Sequence, residues 1–157
     1  MKVIDCKIIK LKPKDDIPLR LLLLADETKE AIEKYIYDCE VYLATKDGQT
    51  EPIAVFALYK INNTEIEIKN IAVSEVLQGK GVGSYLIIEI KKIAKRNNFK
   101  RIIVGTPDYP SKELRFYQKN GFVKYGIRKN FFVDNYAQPI IENGVRLKDM
   151  TILKLDF

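Results

Sequence analysis

Three glycines at alternate positions, Gly79, Gly81 and Gly83, follow the alternating run at 65–73 and precede a run of helical period at 85–96. Strand, glycine-rich loop and helix in that order constrain this chain more than any other stretch. Glycine lacks a Cβ, so a ligand can approach the backbone closely and unusual dihedrals cost little. The loop opens a helix, whose first N–H groups lack intrahelical partners and whose dipole is positive at that end. An anion is the expected occupant, and phosphate is the plain candidate. The competing reading is a tight turn with no ligand.

Two common phosphate loops fit poorly. A dinucleotide fingerprint G-x-G-x-x-G would need a glycine where Ser84 stands, and it follows repeated βαβ units. A Walker loop needs Gly-Lys-Ser/Thr after four spacers, which is absent.

Around the loop, strands are expected at 3–11, 41–46, 53–60 and 65–73, with turns at Asp47-Gly48 and Asn62-Asn63. Helices are expected at 19–25 and 29–37 between the first two strands. After the loop come a helix at 85–96, a strand at 101–104, a helix opened by Pro110-Ser111 and closed by Gly121, and strands at 122–127 and 151–157. The order implies a single α/β domain over 1–157, its sheet mixed and mostly antiparallel, with one parallel crossover through the 85–96 helix. The 130–149 stretch is long for a connection, with a small hairpin at Asn143-Gly144. Its Phe131, Phe132 and Tyr136 either wall a pocket or anchor the loop.

Composition then narrows the chemistry. The chain has 157 residues, two cysteines and no histidine. Ser-His-Asp and Cys-His triads and histidine metal sites are therefore excluded, and no metal is expected. Cys6 and Cys39 read as ordinary reduced thiols of a cytoplasmic protein. No membrane span or signal peptide is expected, because the longest apolar run, 53–59, is far too short and the N-terminus mixes charge throughout. The net charge is +6, unevenly spread. Residues 78–101 carry seven Lys or Arg against Glu89, whereas 26–40 carry six acids against Lys29 and Lys34. Nucleic acid is not expected, since the basic residues gather around one helix without interleaved aromatics.

The segment NIAVSEVLQGKGVGSYL, residues 70–86, resembles the central motif of the GNAT superfamily of N-acetyltransferases, Q/R-x-x-G-x-G/A, here Gln78, Gly81 and Gly83. A second family element, F/L-Y-x-x-x-G-F, resembles Phe116-Tyr117-Gln118-Lys119-Asn120-Gly121-Phe122, 39 positions downstream of Gln78 at Tyr117. The resemblance implies a GNAT-type fold and acetyl-CoA as co-substrate. It implies that strands 65–73 and 101–104 splay apart around the pantetheine, held by backbone groups of Ile71, Ala72 and Val73. It also implies that the amides of Gln78, Gly79, Lys80, Gly81, Val82 and Gly83, continuing to Ser84, hold the pyrophosphate, with some charges of 78–101 meeting the nucleotide. The family's asparagine seven residues before the tyrosine is Pro110 here, so either Ser111 or Asp108 substitutes or the contact is missing.

Amine acetylation needs a neutral amine, a polarised carbonyl and a protonated leaving thiolate. By the resemblance, Tyr117 is the expected acid; otherwise it is a core tyrosine beside Phe116 and Phe122. Glu67, five residues before Ala72, is the expected base; otherwise it is a solvated strand residue on a face with Glu65 and Lys69. Glu27 and Glu30 are weaker candidates for the base. The acceptor is expected to be a small cationic amine drawn by the 26–40 acids, or a protein N-terminus. The latter rests on Gly121-Phe122, Gly126-Ile127-Arg128 and Phe131-Phe132, which resemble ribosomal-protein alanine acetyltransferases. A homodimer is compatible with this reading, and a non-catalytic acyl-CoA-binding module is the alternative.

Overall fold

The computed structural model describes residues 5–157. Seven strands form one sheet: β1 (Cys6–Lys10), β2 (Glu40–Lys46), β3 (Pro52–Lys60), β4 (Glu65–Val73), β5 (Arg101–Pro107), β6 (Val123–Arg128) and β9 (Met150–Asp156). Their order is β1-β2-β3-β4-β5-β9-β6, and among the described residues β4 with β5 is the one parallel pair. The mixed, mostly antiparallel sheet expected from the sequence is what forms. Residues 3 and 4 of the expected first strand lie outside the described residues.

Helices cover both faces. On one face, α3 (Val82–Arg96) and α4 (Lys112–Lys119) bury Leu86, Ile90, Ile93 and Leu114 against Ile66, Ile68, Ile102 and Val104. On the other, α1 (Leu19–Leu22) and α2 (Lys29–Glu33) cover Val41, Val55, Ala57 and Ala72. Local chemistry sets the helix ends. Thr28 caps α2 by accepting from Ala31 N, and Ser111 caps α4 by accepting from Leu114 N.

The two helices of the second face are shorter than expected. Helix α1 ends at Leu22, and the chain runs on as hydrogen-bonded turns, Leu24 N to Leu21 O and Asp26 N to Leu22 O, with Leu23 and Leu24 40% exposed. Helix α2 stops at Glu33, and the chain continues as a 3-10 turn, Ile36–Asp38. The 130–149 connection is also more structured than expected. It holds α5 (Phe131–Asn135) and a hairpin of β7 (Ile141–Glu142) and β8 (Val145–Arg146), turned by Asn143 and Gly144 in left-handed backbone.

Strand β4 carries a bulge. Asn70 faces Ala57 of β3 and Ile68 faces Leu58, so Lys69 is an extra residue. Ile66, Ile68, Ile71 and Val73 therefore all meet the α3 side, although Ile68 and Ile71 are an odd number of positions apart. Asn70 and Ala72 meet α1 and its cluster. Glu67, an odd five positions before Ala72, keeps to the same side for the same reason.

Candidate active site

Strands β4 and β5 pair only from Glu65/Arg101 to Ile68/Val104. Beyond that pair β4 continues through Val73 and β5 through Pro107, each bonded only on its outer side, to β3 and β9. The sheet thus opens at Ile71, Ala72 and Val73, where the splay was expected.

The glycine loop stands at this opening. Gly79 and Gly81 have φ of 75° and 87°, in left-handed backbone, and Gly81 is the N-cap of α3. Among the described residues, the amides from Gly79 through Ser84 make no hydrogen bond to protein, and no side chain caps the helix. Six consecutive free N–H groups at the positive end of a 15-residue helix form an anion cradle. The Gln78 side chain donates to Val73 O at 3.0 Å and ties the loop to the end of β4. Gly83 has a different use from its neighbours: a Cβ there would come within 3.0 Å of the Phe116 ring, so it lets α3 and α4 pack.

The basic run 78–101 is not gathered at the cradle. It extends along α3, about 22 Å at 1.5 Å per residue. Arg101 lies at the paired end of β5, bound to Glu65 and Asp156. Lys91 donates to Asn120 O, and Lys95 sits over the Phe157 ring. Of that run, only Lys80 lies within the loop itself. Ser111 spends its acceptor on the α4 cap, and Asp108 accepts from the Thr151 hydroxyl at 2.6 Å.

Tyr117 is buried, in edge contact with Phe116 and Phe122 at 5.1 and 5.5 Å. Its hydroxyl makes no hydrogen bond to the described residues. Burial, and secondarily Glu113, raises its pKa well above the ordinary tyrosine value, so the phenol keeps its proton at neutral pH. Burial likewise lifts the Cys39 thiol to about 12, which leaves it inert.

Glu67 is not a solvated strand residue. It is 4% exposed, and both carboxylate oxygens accept from the Arg128 guanidinium at 3.2 and 3.3 Å, with Lys69 Nζ 3.5 Å away. Glu30 is exposed on α2.

Sequence reasoning missed a network on the same face of the sheet as Glu67. Tyr136 and Tyr35 donate their hydroxyls to Asp26 at 2.6 and 3.0 Å, and Asn70 Nδ2 donates to Tyr35 Oη and to Leu22 O, both at 3.1 Å. The signal was an asparagine inside an otherwise strand-forming run, EIEIKNIAV, where asparagine is disfavoured unless its side chain is used. Tyr136 anchors the 130–149 segment here. Phe132, stacked on Tyr136 at 5.9 Å, is buried beneath it.

A slot between parted strands, beside a helix N-terminus with free amides, defines a site for an extended anionic ligand. The model of the Acetyltransferase (GNAT) family matches residues 15–122. The chain belongs to the GNAT family and is an N-acetyltransferase by descent. It is 38% identical over 136 residues to YvbK of Bacillus subtilis, an uncharacterised N-acetyltransferase, covering 87% of this chain and 86% of the relative. A GNAT family acetyltransferase of Elizabethkingia anophelis, solved with acetyl-CoA bound, superposes with a TM-score of 0.91 at 40% identity, covering 98% of this chain and 99% of that one. A Bacillus subtilis acetyltransferase in complex with CoA superposes at 0.85 with 36% identity, covering 97% and 99%. The ribosomal-protein-S18-alanine N-acetyltransferase of Escherichia coli, at 17% identity and a TM-score of 0.73, shares the fold alone.

Proposed function

We propose that this protein transfers an acetyl group from acetyl-CoA to a primary amine, a small cationic amine or a protein N-terminus. The observation that carries this reading is the row of six free amides, Gly79 to Ser84, beside the opening between β4 and β5. The cradle suits a pyrophosphate. The unpaired inner edge of β4 at Ile71, Ala72 and Val73 suits the amides of a pantetheine arm, which would hydrogen-bond as a strand does. Ser111 retains one hydroxyl proton to offer the same ligand.

The amine nitrogen attacks the thioester carbonyl, a C–N bond forms, and the C–S bond breaks. Tyr117 gives its phenolic proton to the departing thiolate and regains one from solvent. Its unpaired hydroxyl and raised pKa suit that role, since an acid must hold its proton until the bond breaks. Glu67 shares a face of β4 with Ala72 and takes the amine's proton through water, because the carboxylate is buried and each oxygen, holding one guanidinium N–H, keeps acceptor capacity for a small donor. Acid and base lie on opposite faces of the sheet, so leaving group and amine meet the thioester from opposite sides.

The test is thiol release from acetyl-CoA with spermidine, kanamycin and an alanyl peptide as acceptors, beside calorimetric binding of acetyl-CoA. Binding without thiol release for any of them supports the non-catalytic alternative instead. Tyr117→Phe is expected to lower kcat by about 100- to 10,000-fold, the range for general acid catalysis. Acetyl-CoA affinity should stay within about twofold in that variant, and wild-type turnover would reduce Tyr117 to a packing residue.

A further inference from the structure

Past Pro107 the chain turns through Asp108 and Tyr109, and residues 145–149 run back beside them into β9. The Asp108 amide joins the two by donating to Asp149 O at 3.0 Å. Between them lies a cavity of about 210 Å³, lined by Asp108, Tyr109 and residues 145–149. It has room for about seven waters at about 30 Å³ each, the scale of an amino acid rather than of a coenzyme. Four charged side chains line it, and they are not equivalent. Asp108 accepts from the Thr151 hydroxyl, and Asp149 accepts from the Asn130 amide with Lys129 Nζ 3.8 Å away. Arg146 and Lys148 are exposed, and their side chains make no hydrogen bond or ion pair among the described residues. The uncommitted charge at the cavity is therefore positive, and a guanidinium presents a fork of donors that fits a carboxylate.

The cavity stands at the mouth of the slot. Strands β4 and β5 run parallel with Ile68 level with Val104. Ala72 is four residues beyond the first and Asp108 four beyond the second, so the cavity opens at about the height given to the thioester. Its Tyr109 wall leads to charge of the other sign. The Tyr109 hydroxyl donates to Glu142 at 2.6 Å. The Glu27 carboxyl is raised above its ordinary range, first by partial burial and then by Glu142 and Asp26, so these three acids crowd one another. Free cations on one side of Tyr109 and acids on the other give the mouth two poles. We infer that this cavity is an acceptor subsite in which Arg146 and Lys148 hold a carboxylate, so that the amine to be acetylated belongs to a molecule carrying both groups: an amino acid, or a peptide N-terminus beside an acidic residue. This assignment rests on the acetyl-transfer reading and narrows its acceptor. With the carboxylate on the cations, the ammonium end turns toward Glu27, Glu142 and the slot. A polyamine or an aminoglycoside offers these cations only more positive charge, which disfavours it.

The experiment uses acceptor pairs that differ in one carboxylate: alanine against alaninamide, and Ala-Asp-amide against Ala-Asn-amide, with spermidine and kanamycin alongside. Thiol release gives KM and kcat, calorimetry gives acetyl-CoA affinity, and a melting curve checks folding, which neither exposed side chain is expected to affect. In wild type the acidic member of a pair should have a KM about tenfold lower, the low end for a hydrogen bond between charged groups, because the cavity is open to solvent. The double variant Arg146→Ala, Lys148→Ala should erase that preference. Its kcat should stay within about threefold, and its acetyl-CoA affinity should be unchanged. Arg146→Glu alone should invert the preference. A preference seen with alanine only identifies a free amino acid, and one seen with Ala-Asp-amide only identifies an acidic N-terminus. Equal KM within both pairs in wild type, or a preference that survives the double variant, overturns the subsite. Weakened acetyl-CoA binding in the double variant would give the cations to the coenzyme phosphates and overturn it equally. Acetylation of spermidine or kanamycin but of neither acid refutes the subsite and leaves acetyl transfer standing. No thiol release with any acceptor refutes acetyl transfer itself.

Discussion

Replacing Arg128 with Met should expose how much the buried carboxylate of Glu67 depends on it. The Glu67 side chain is 6% exposed, while that of Arg128 is 37% exposed. Two guanidinium N–H groups reach the two carboxylate oxygens at 3.2 and 3.3 Å, a bidentate pair. Removing one partner of a buried ion pair costs about 3–5 kcal/mol, mostly the penalty of the abandoned charge. The low end applies here for two reasons. Arg128 is partly solvated, and Lys69 remains 3.5 Å from Glu67. A loss of about 3 kcal/mol is therefore expected. In a domain of this size it corresponds to a fall in Tm of roughly 6–12 °C. Urea and thermal melts of wild type, Arg128→Met, Glu67→Leu and the double variant measure it. The double variant should regain most of the loss, because the uncompensated charge is gone. A single-variant loss below about 1 kcal/mol, or a double variant as unstable as the summed singles, would refute the dependence.

Gly81→Val should abolish acetyl-CoA binding, since φ at 87° is strained for a β-branched residue and the side chain would crowd the cradle; unchanged calorimetric affinity would disprove the cradle. Gly105→Ala should destabilise by about 1–3 kcal/mol, because a Cβ there overlaps Met150 Sδ and comes within 2.9 Å of its Cγ. Met150→Ala in that background should restore the urea midpoint. Burial raises the phenols of Tyr35, Tyr117 and Tyr136, so the unfolded chain loses these protons first. Stability should fall as pH rises, first from about pH 9 as the unfolded Cys39 thiol ionises and then from about pH 10 with the phenols, by up to about 1.4 kcal/mol per pH unit for each group. A Tm that holds constant from about pH 9 to 11 would show that the phenols titrate alike in both states.

The glycine loop and the cap of α4 were legible because they depend on local chemistry, glycine at positive φ and serine as a cap, whereas the parting of β4 and β5 was expected from the family resemblance alone. The second face of the sheet was not. Glu67 looks like a solvated strand residue by alternation, and its burial is set by Arg128, 61 residues away. Asp26 and Tyr136 are 110 residues apart and meet only because the 130–149 segment folds back on the α1–α2 connection. Charge counts misled for a related reason. The basic run 78–101 is contiguous in sequence, but a helix spreads it along a length that no single ligand group spans.

The extra residue in β4 makes Lys69 a hinge of phase. Every side chain from Asn70 to Val73 owes its face to that one insertion. Deleting Lys69 would remove nothing that contacts the glycine loop, yet it would turn Ile71 and Val73 toward α1 and send Asn70 into the α3 side. The two halves of the strand are thus independent in parity. The first half is locked to β5 and the second is free of it, so sequence change on one side of Lys69 need not be compensated on the other. Length, rather than composition, is the property this strand cannot vary.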